Sequence, residues 1–227
     1  MSMPFGYVPP EQQMKDRADF ARKNVARGRP LVALEYDEGI LICAENPSRT
    51  LHKVSEIYDR IAFAGVGKFS EFDALRTAGV RMADVKGYQY SREDVDARSL
   101  ANAFAQHIGQ IFTHEMKPLE VEILVTEVGY EPGGDQLFHI LYDGTVVDEQ
   151  GFSVLGGDAD AIGDRLKERF TAGMPKDEAF RAALAALGGP DRSLKATELE
   201  VAFLLRTDAR RAFRRIELSE LEALVAG

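Results

Sequence analysis

Leu31-Val-Ala-Leu-Glu-Tyr-Asp37-Glu38-Gly39-Ile-Leu-Ile-Cys43-Ala-Glu45 is the stretch on which the fold is decided. Two apolar runs of strand length flank Asp37-Glu38-Gly39, a compact hairpin-turn signal, so strands are expected over 31–36 and 39–44. The hairpin reads as buried. Its second strand leads into a carboxylate, Glu45, and the polar stretch beyond ends in Lys53. From spacing alone, this pair is most simply a strand-end acid and a surface lysine.

Upstream, Pro9 and Pro10 lead into a helix expected over about 11–27, with Met14, Ala18, Ala21 and Val25 at helical spacing and Gly28 as its stop. Lys15, Arg17, Arg22 and Lys23 cover its other sides, so the apolar stripe is narrow. Residues 1–8 carry Pro, Gly and aromatic residues without any period and read as a flexible arm. Downstream, residues 52–67 are ambiguous. Val54, Ile57 and Ile61 make a helical stripe that periodicity slightly favours, while Ile61, Phe63 and Gly65 alternate as in a strand.

Helices are expected over 69–87, carrying Phe69, Phe72 and Leu75, and over 97–115, where Leu100, Phe104, Ile108, Ile111 and Phe112 form a wide apolar face. A β block follows at 119–129, 136–142 and 145–155, punctuated by Pro132-Gly-Gly-Asp135 and Asp143-Gly144. Helices over 158–172, with Asp158 as N-cap, and 176–187 meet at Pro175. Strands over 198–206 and 212–216 and a terminal helix over 218–225, capped by Ser219, complete the order. Each helical pair needs a sheet face to bury itself on, and each sheet needs cover for its other face; two central sheets with helices outside satisfy both.

The chain has 227 residues, 45% of them hydrophobic, and no Gly/Ser/Pro-rich linker, which favours one large core. No run approaches the length of a membrane span, and the N-terminus has neither the basic region nor the apolar core of a signal peptide. Cys43 is the only cysteine, which excludes an internal disulfide framework and fits a reducing cytoplasm. With 28 Lys+Arg against 37 Asp+Glu the net charge is −9, which argues against general nucleic-acid binding. The basic clusters at 22–29 and 206–215 read as solvated faces or interface ion pairs.

Several motifs fail on their chemistry. Gly65-Val-Gly67-Lys68-Phe69 resembles the tail of a P-loop, but Ala62 stands at the required glycine and Phe69 at the Ser/Thr that would hold magnesium. His52, His107, His114 and His139 lack metal-ligand spacing, so no metal and no cofactor is expected. No Gly-x-Ser-x-Gly elbow is present. Gly156-Gly157-Asp158 before a helix has the pattern of an anion site, but Asp158 is more simply a cap.

Strand, Asp-Glu-Gly turn, strand, acid and lysine follow the order of proteasome-type N-terminal-nucleophile hydrolases. Across nearly its whole length the chain resembles proteasome α subunits, most closely the actinobacterial type. The segments that carry the resemblance are Met14-Lys-Asp-Arg-Ala-Asp-Phe-Ala-Arg-Lys-Asn-Val-Ala-Arg-Gly28, Ala44-Glu-Asn-Pro-Ser and Leu51-His-Lys-Val-Ser-Glu-Ile-Tyr-Asp-Arg60. Phe63-Ala-Gly-Val-Gly-Lys-Phe-Ser-Glu-Phe72, Ser99-Leu-Ala-Asn-Ala-Phe-Ala-Gln106 and Arg210-Arg-Ala-Phe-Arg-Arg-Ile216 add to it. In the catalytic members a threonine opens the first strand and its own amine serves as base. Here the residue sixteen before Glu45 is Arg29, which has no nucleophilic oxygen, and the chain continues upstream of it.

The resemblance implies a four-layer α/β/β/α sandwich (an α/β, or α+β, fold of the N-terminal-nucleophile hydrolase type) and resolves 52–67 into two strands. It implies a single domain over 9–227, whose helix at about 11–27 lies across the top of a seven-membered ring. Residues 1–8 then supply a gate over the axial pore: Met3, Pro4, Phe5, Gly6, Tyr7 and Val8. Lys53 matches the family lysine that receives the terminal carboxylate of a hydrophobic-Tyr-X tail from a ring-shaped AAA+ ATPase, with Gly28, Gly67 and Lys68 lining the same pocket. The implied partners are proteasome β subunits, neighbouring α subunits, that activator and protein substrates in transit, with no nucleic acid and no membrane. Two features depart from the wider family: the arm Met3-Pro-Phe-Gly-Tyr7 lacks the Tyr-Asp-Arg element of archaeal and eukaryotic gates, and the long acidic tail of some actinobacterial members is absent. The expected function is a non-catalytic, cytoplasmic core-particle subunit that gates and docks. The alternative, a β-type threonine hydrolase precursor, is disfavoured by Arg29.

Overall fold

The expected hairpin forms as β1 (Leu31–Tyr36) and β2 (Gly39–Glu45), paired antiparallel from Leu31↔Ala44 to Tyr36↔Gly39. This computed structural model describes residues 9–226. Gly39 opens β2 at φ +141°, where a Cβ would collide with the Leu204 carbonyl, so the turn depends on the missing side chain.

The other strands are β3 (Val54–Tyr58), β4 (Ile61–Gly67), β5 (Val121–Glu127), β6 (Gln136–Ile140), β7 (Val146–Glu149), β8 (Phe152–Leu155), β9 (Leu199–Leu205) and β10 (Phe213–Arg215). The helices are α1 (Pro10–Ala26), α2 (Phe69–Gln89), α3 (Ala97–His114), α4 (Ala159–Lys167), α5 (Lys176–Gly188) and α6 (Leu218–Ala226). One sheet has the order β10-β9-β2-β1-β8 and the other β3-β4-β5-β6-β7.

Alternation along the strands builds the layers. Leu31 and Ala33 of β1, with Ile40, Ile42 and Ala44 of β2, face Ala62, Ala64, Val66, Leu124 and Leu137 of the opposite sheet. Val32, Leu34, Leu41 and Cys43 point outward onto Ile162 and Leu166 of α4 and Phe180 and Ala183 of α5. On the far side Phe63, Ile123 and Val125 pack against Phe72 and Leu75 of α2 and Phe104 and Ile108 of α3. Helices, sheet, sheet, helices: these are the four layers expected.

The ambiguous stretch 52–67 is a strand pair, with Val54↔Ala64 and Tyr58↔Ile61. Elsewhere the structure corrects the sequence reading. The single strand expected at 145–155 is two strands in different sheets, because Gly151 at φ +78° turns the chain from β7 into β8. The helix expected over 158–172 ends at Lys167, and Phe170 leaves it to pack edge-on against Phe152, 5.5 Å between centroids. Its cap holds: Asp158 accepts from the Ala161 amide at 3.3 Å. Ser219 is not a cap, since α6 begins at Leu218 and the Leu221 amide bonds the Glu217 carbonyl. In α1 the stripe buries only Ala21 and Val25, and Met14 is exposed. Val25 plugs one end of the inter-sheet core. Arg17 and Arg22 secure the helix on the Phe112 carbonyl and the Tyr142 hydroxyl, at 2.6 and 2.7 Å.

Candidate functional site

At the end of the sandwich that α1 plugs, the chain leaves the helix through Gly28, Arg29 and Pro30 and enters β1. The Glu45 amide donates to the Pro30 carbonyl at 2.9 Å, which sets the end of β2 beside the start of β1. Glu45 is buried, and its carboxylate is held by two guanidiniums. Arg29 Nη1 lies 2.9 Å from Oε1, and Arg192 reaches Oε2 at 2.9 Å and Oε1 at 3.3 Å. Burial works against the charge, but Arg192 and Arg29 outweigh it and hold the carboxyl below the usual range. An acid clamped in this way is not free to serve as a base.

Lys53 does not pair with Glu45. Its ammonium donates to the Arg29 carbonyl at 2.5 Å. Burial pushes this amine down to about 8; Glu45 and Glu200 oppose the shift and Arg29 adds to it. The backbone around Lys53 is held by Glu200, a buried carboxylate in β9. Oε2 accepts from the Lys53 amide and from Asn46 Nδ2, both at 2.8 Å. Oε1 accepts from the Val54 amide at 3.3 Å and from Arg215 Nη1 at 3.1 Å, and lies 3.2 Å from His52 Nδ1.

Gly28 and Gly67 lie close together: a Cβ on Gly28 would stand 2.6 Å from Val66 and 3.2 Å from the Gly67 nitrogen. Gly67, at φ +109°, has no room for a Cβ against the Glu120 carbonyl. This wall of the site is therefore close-packed main chain. Lys68 follows at the start of α2, half-exposed, with its ammonium 3.3 Å from Glu71 and no hydrogen bond or ion pair to Lys53 or Glu45. Met3, Pro4, Phe5, Gly6, Tyr7 and Val8, expected to form a gate, lie outside the described residues.

Sequence reasoning missed Arg192 and Glu200. Glu200 had a signal, being the one charge in the apolar strand Leu199–Leu205; Arg192 had none. Cys43 offers no substitute nucleophile, because it is fully buried under the helices and its thiol is pushed up to about 12 by that burial. Among the described residues, no group of three or more His, Cys, Asp and Glu is arranged to hold a metal, and no helix is long and apolar enough to cross a membrane.

Comparison with known proteins agrees with this geometry. The family model described as proteasome subunit matches residues 25–203. The proteasome subunit alpha of Acidimicrobium ferrooxidans is 61% identical over 225 residues, covering 99% of this chain and 97% of the relative. Those of Streptosporangium roseum and Thermomonospora curvata are each 56% identical over 228 residues, covering all of this chain and 88% and 99% of the relatives. With a family model over most of its length and relatives of this kind along the whole of it, the chain belongs to the proteasome subunit family, among its alpha subunits of the actinobacterial type.

Proposed function

We propose that this chain forms the outer seven-membered ring of a cytoplasmic proteasome core particle, gates entry to the chamber and docks a ring-shaped AAA+ ATPase. The observation that carries the non-catalytic part is Arg29. It occupies the nucleophile's place and spends its guanidinium on the acid that a catalytic member keeps for chemistry. Proteolysis then belongs to β subunits, and this ring controls what reaches them. Lys53 is the docking cation in this reading, supported by an ammonium that is held on the Arg29 carbonyl, one residue beyond Gly28, which packs close to Gly67. A hydrophobic-Tyr-X tail would bring its terminal carboxylate to that ammonium, a charge-assisted contact. Residues 3–8 would obstruct the pore, and tail binding would shift their population toward an open arrangement.

The purified chain alone is expected to turn over no fluorogenic peptide. Mixed with a β partner, activity should appear, and a threonine-directed covalent inhibitor should label the partner only. Turnover by the β-free chain would sink the non-catalytic reading. Deleting residues 2–8 should raise the peptidase rate of the assembled particle severalfold at matched concentration. A ratio of one between truncated and full-length particles would remove the gate from this segment.

A further inference from the structure

Lys53 is not the only cation at this site. Arg29, whose carbonyl holds the Lys53 ammonium, and Arg192 meet on Glu45, and the side chains of both are 51% exposed. Glu45, itself only 6% exposed, is the one carboxylate that both guanidiniums contact, and it fixes them while half of each arginine side chain stays open to solvent. Arg29 uses only Nη1 on Glu45; its Nη2 and Nε make no hydrogen bond to another described residue. Arg192 spends Nη1 and Nη2 on Glu45 and the Leu187 carbonyl, and its Nε makes no hydrogen bond to another described residue. On the Lys53 side Glu200 adds a second buried carboxylate, Glu198 acts on Arg192, and the Arg29 main chain itself carries the Lys53 ammonium. A single terminal carboxylate placed on Lys53 would leave the open guanidinium edges without an anion.

We propose that Arg29 and Arg192 form a second anion-recognition subsite beside Lys53, which selects a docking tail whose last residue carries an acidic side chain next to its terminal carboxylate. This rests on the reading of Lys53 as the docking cation. The terminal carboxylate pairs with the ammonium, and the side-chain carboxylate takes the open guanidinium edges. A planar fork already locked by Glu45 loses little side-chain freedom on binding, and its hydrogen bonds to a carboxylate are charge-assisted. Arg29 and Arg192 act here as specificity residues, while Lys53 supplies the contact common to every tail.

The test uses the assembled particle with its β partner and fluorescent eight-residue peptides ending in Leu-Tyr-Glu or Leu-Tyr-Gln, which differ in one charge and almost nothing in shape. Binding is read by anisotropy at low and moderate salt. The acidic peptide is expected to bind at least fivefold tighter at low salt, with the ratio shrinking as salt screens the exposed guanidiniums. Arg29→Gln should bring the ratio to near one while leaving binding of the Gln peptide in place, and Arg29→Lys should keep part of the preference. Arg192→Gln serves as the second variant if Arg29→Gln fails to assemble by size-exclusion chromatography. Lys53→Ala, or amidation of the peptide terminus, should weaken both peptides alike. Equal affinities in the unaltered particle, or a preference that survives both arginine substitutions, would overturn the subsite and leave Lys53 docking standing. Failure of both peptides to bind at all would overturn the two readings together.

Discussion

Lys53→Ala is expected to weaken activator binding by about 2–5 kcal/mol, the cost of removing one partner from a desolvated carboxylate–cation contact. Assembly and basal peptidase rate should be nearly unchanged, because among the described residues the Lys53 ammonium holds only the Arg29 carbonyl, while Glu45 is held by Arg29 and Arg192. Lys53 makes no direct ion pair with Glu45, although that carboxylate still acts on its ammonium through space. Lys53→Arg should give a partial defect, since it keeps the charge but changes its reach. Binding and particle size, measured on the same preparation, separate docking from structure. A variant that assembles and still binds activator tails with unaltered affinity would end the docking role.

The same lysine predicts a pH dependence whose two parts run in opposite directions. Its amine is depressed from 10.5 to about 8 in the folded chain. Between those values the unfolded chain binds more protons than the folded one, so this group's contribution to stability rises with pH across that window. Tail binding needs the ammonium, so affinity should fall by up to tenfold per pH unit above about 8. Affinity titrated from pH 7 to 9.5 in the unaltered particle should show this fall, and Lys53→Arg should flatten it. A flat profile in the unaltered particle would mean that the charge of Lys53 is not used.

Glu200→Ala should be the most damaging single change near the site, costing about 3–5 kcal/mol of unfolding free energy. It strands the Arg215 guanidinium and removes the acceptor of the Lys53 and Val54 amides and of Asn46. Glu200→Gln keeps a carbonyl acceptor and most of the shape, and should cost less. Urea unfolding of the full chain measures both. If Glu200→Ala unfolds at the same urea concentration as the unaltered chain, the carboxylate is not the anchor of the β2–β3 connection.

These partners explain what was and was not legible in the sequence. The hairpin at 31–45 was readable because its turn, its apolar runs and its end all lie within a few residues of one another. Lys53 and Gly67 were placed by resemblance, and Arg29 by counting back from Glu45. The groups that set the electrostatics of the site were not readable in that way. Glu200 and Arg192 each lie 147 residues from the group they hold, and no local period encodes such a distance. The strand error at 145–155 has a different cause. Val146–Glu149 and Phe152–Leu155 both have strand character, and only the backbone of Gly151 reveals that the chain changes sheet between them. Periodicity reports which residues are extended, not which sheet receives them.

Cys43 gives the chain a built-in reporter. It is the only sulfhydryl in the sequence, and it lies beneath α4 and α5 with no exposed surface. A maleimide dye should reach it only when that helical layer lifts from the sheet, so the labelling rate measures opening from the inside. Variants that fail to join a ring while remaining folded would stay unlabelled, whereas variants that have lost the fold would take up dye at once. A second cysteine placed on the surface would be the sole reactive handle in the native state, which allows one dye per subunit without first replacing the natural residue.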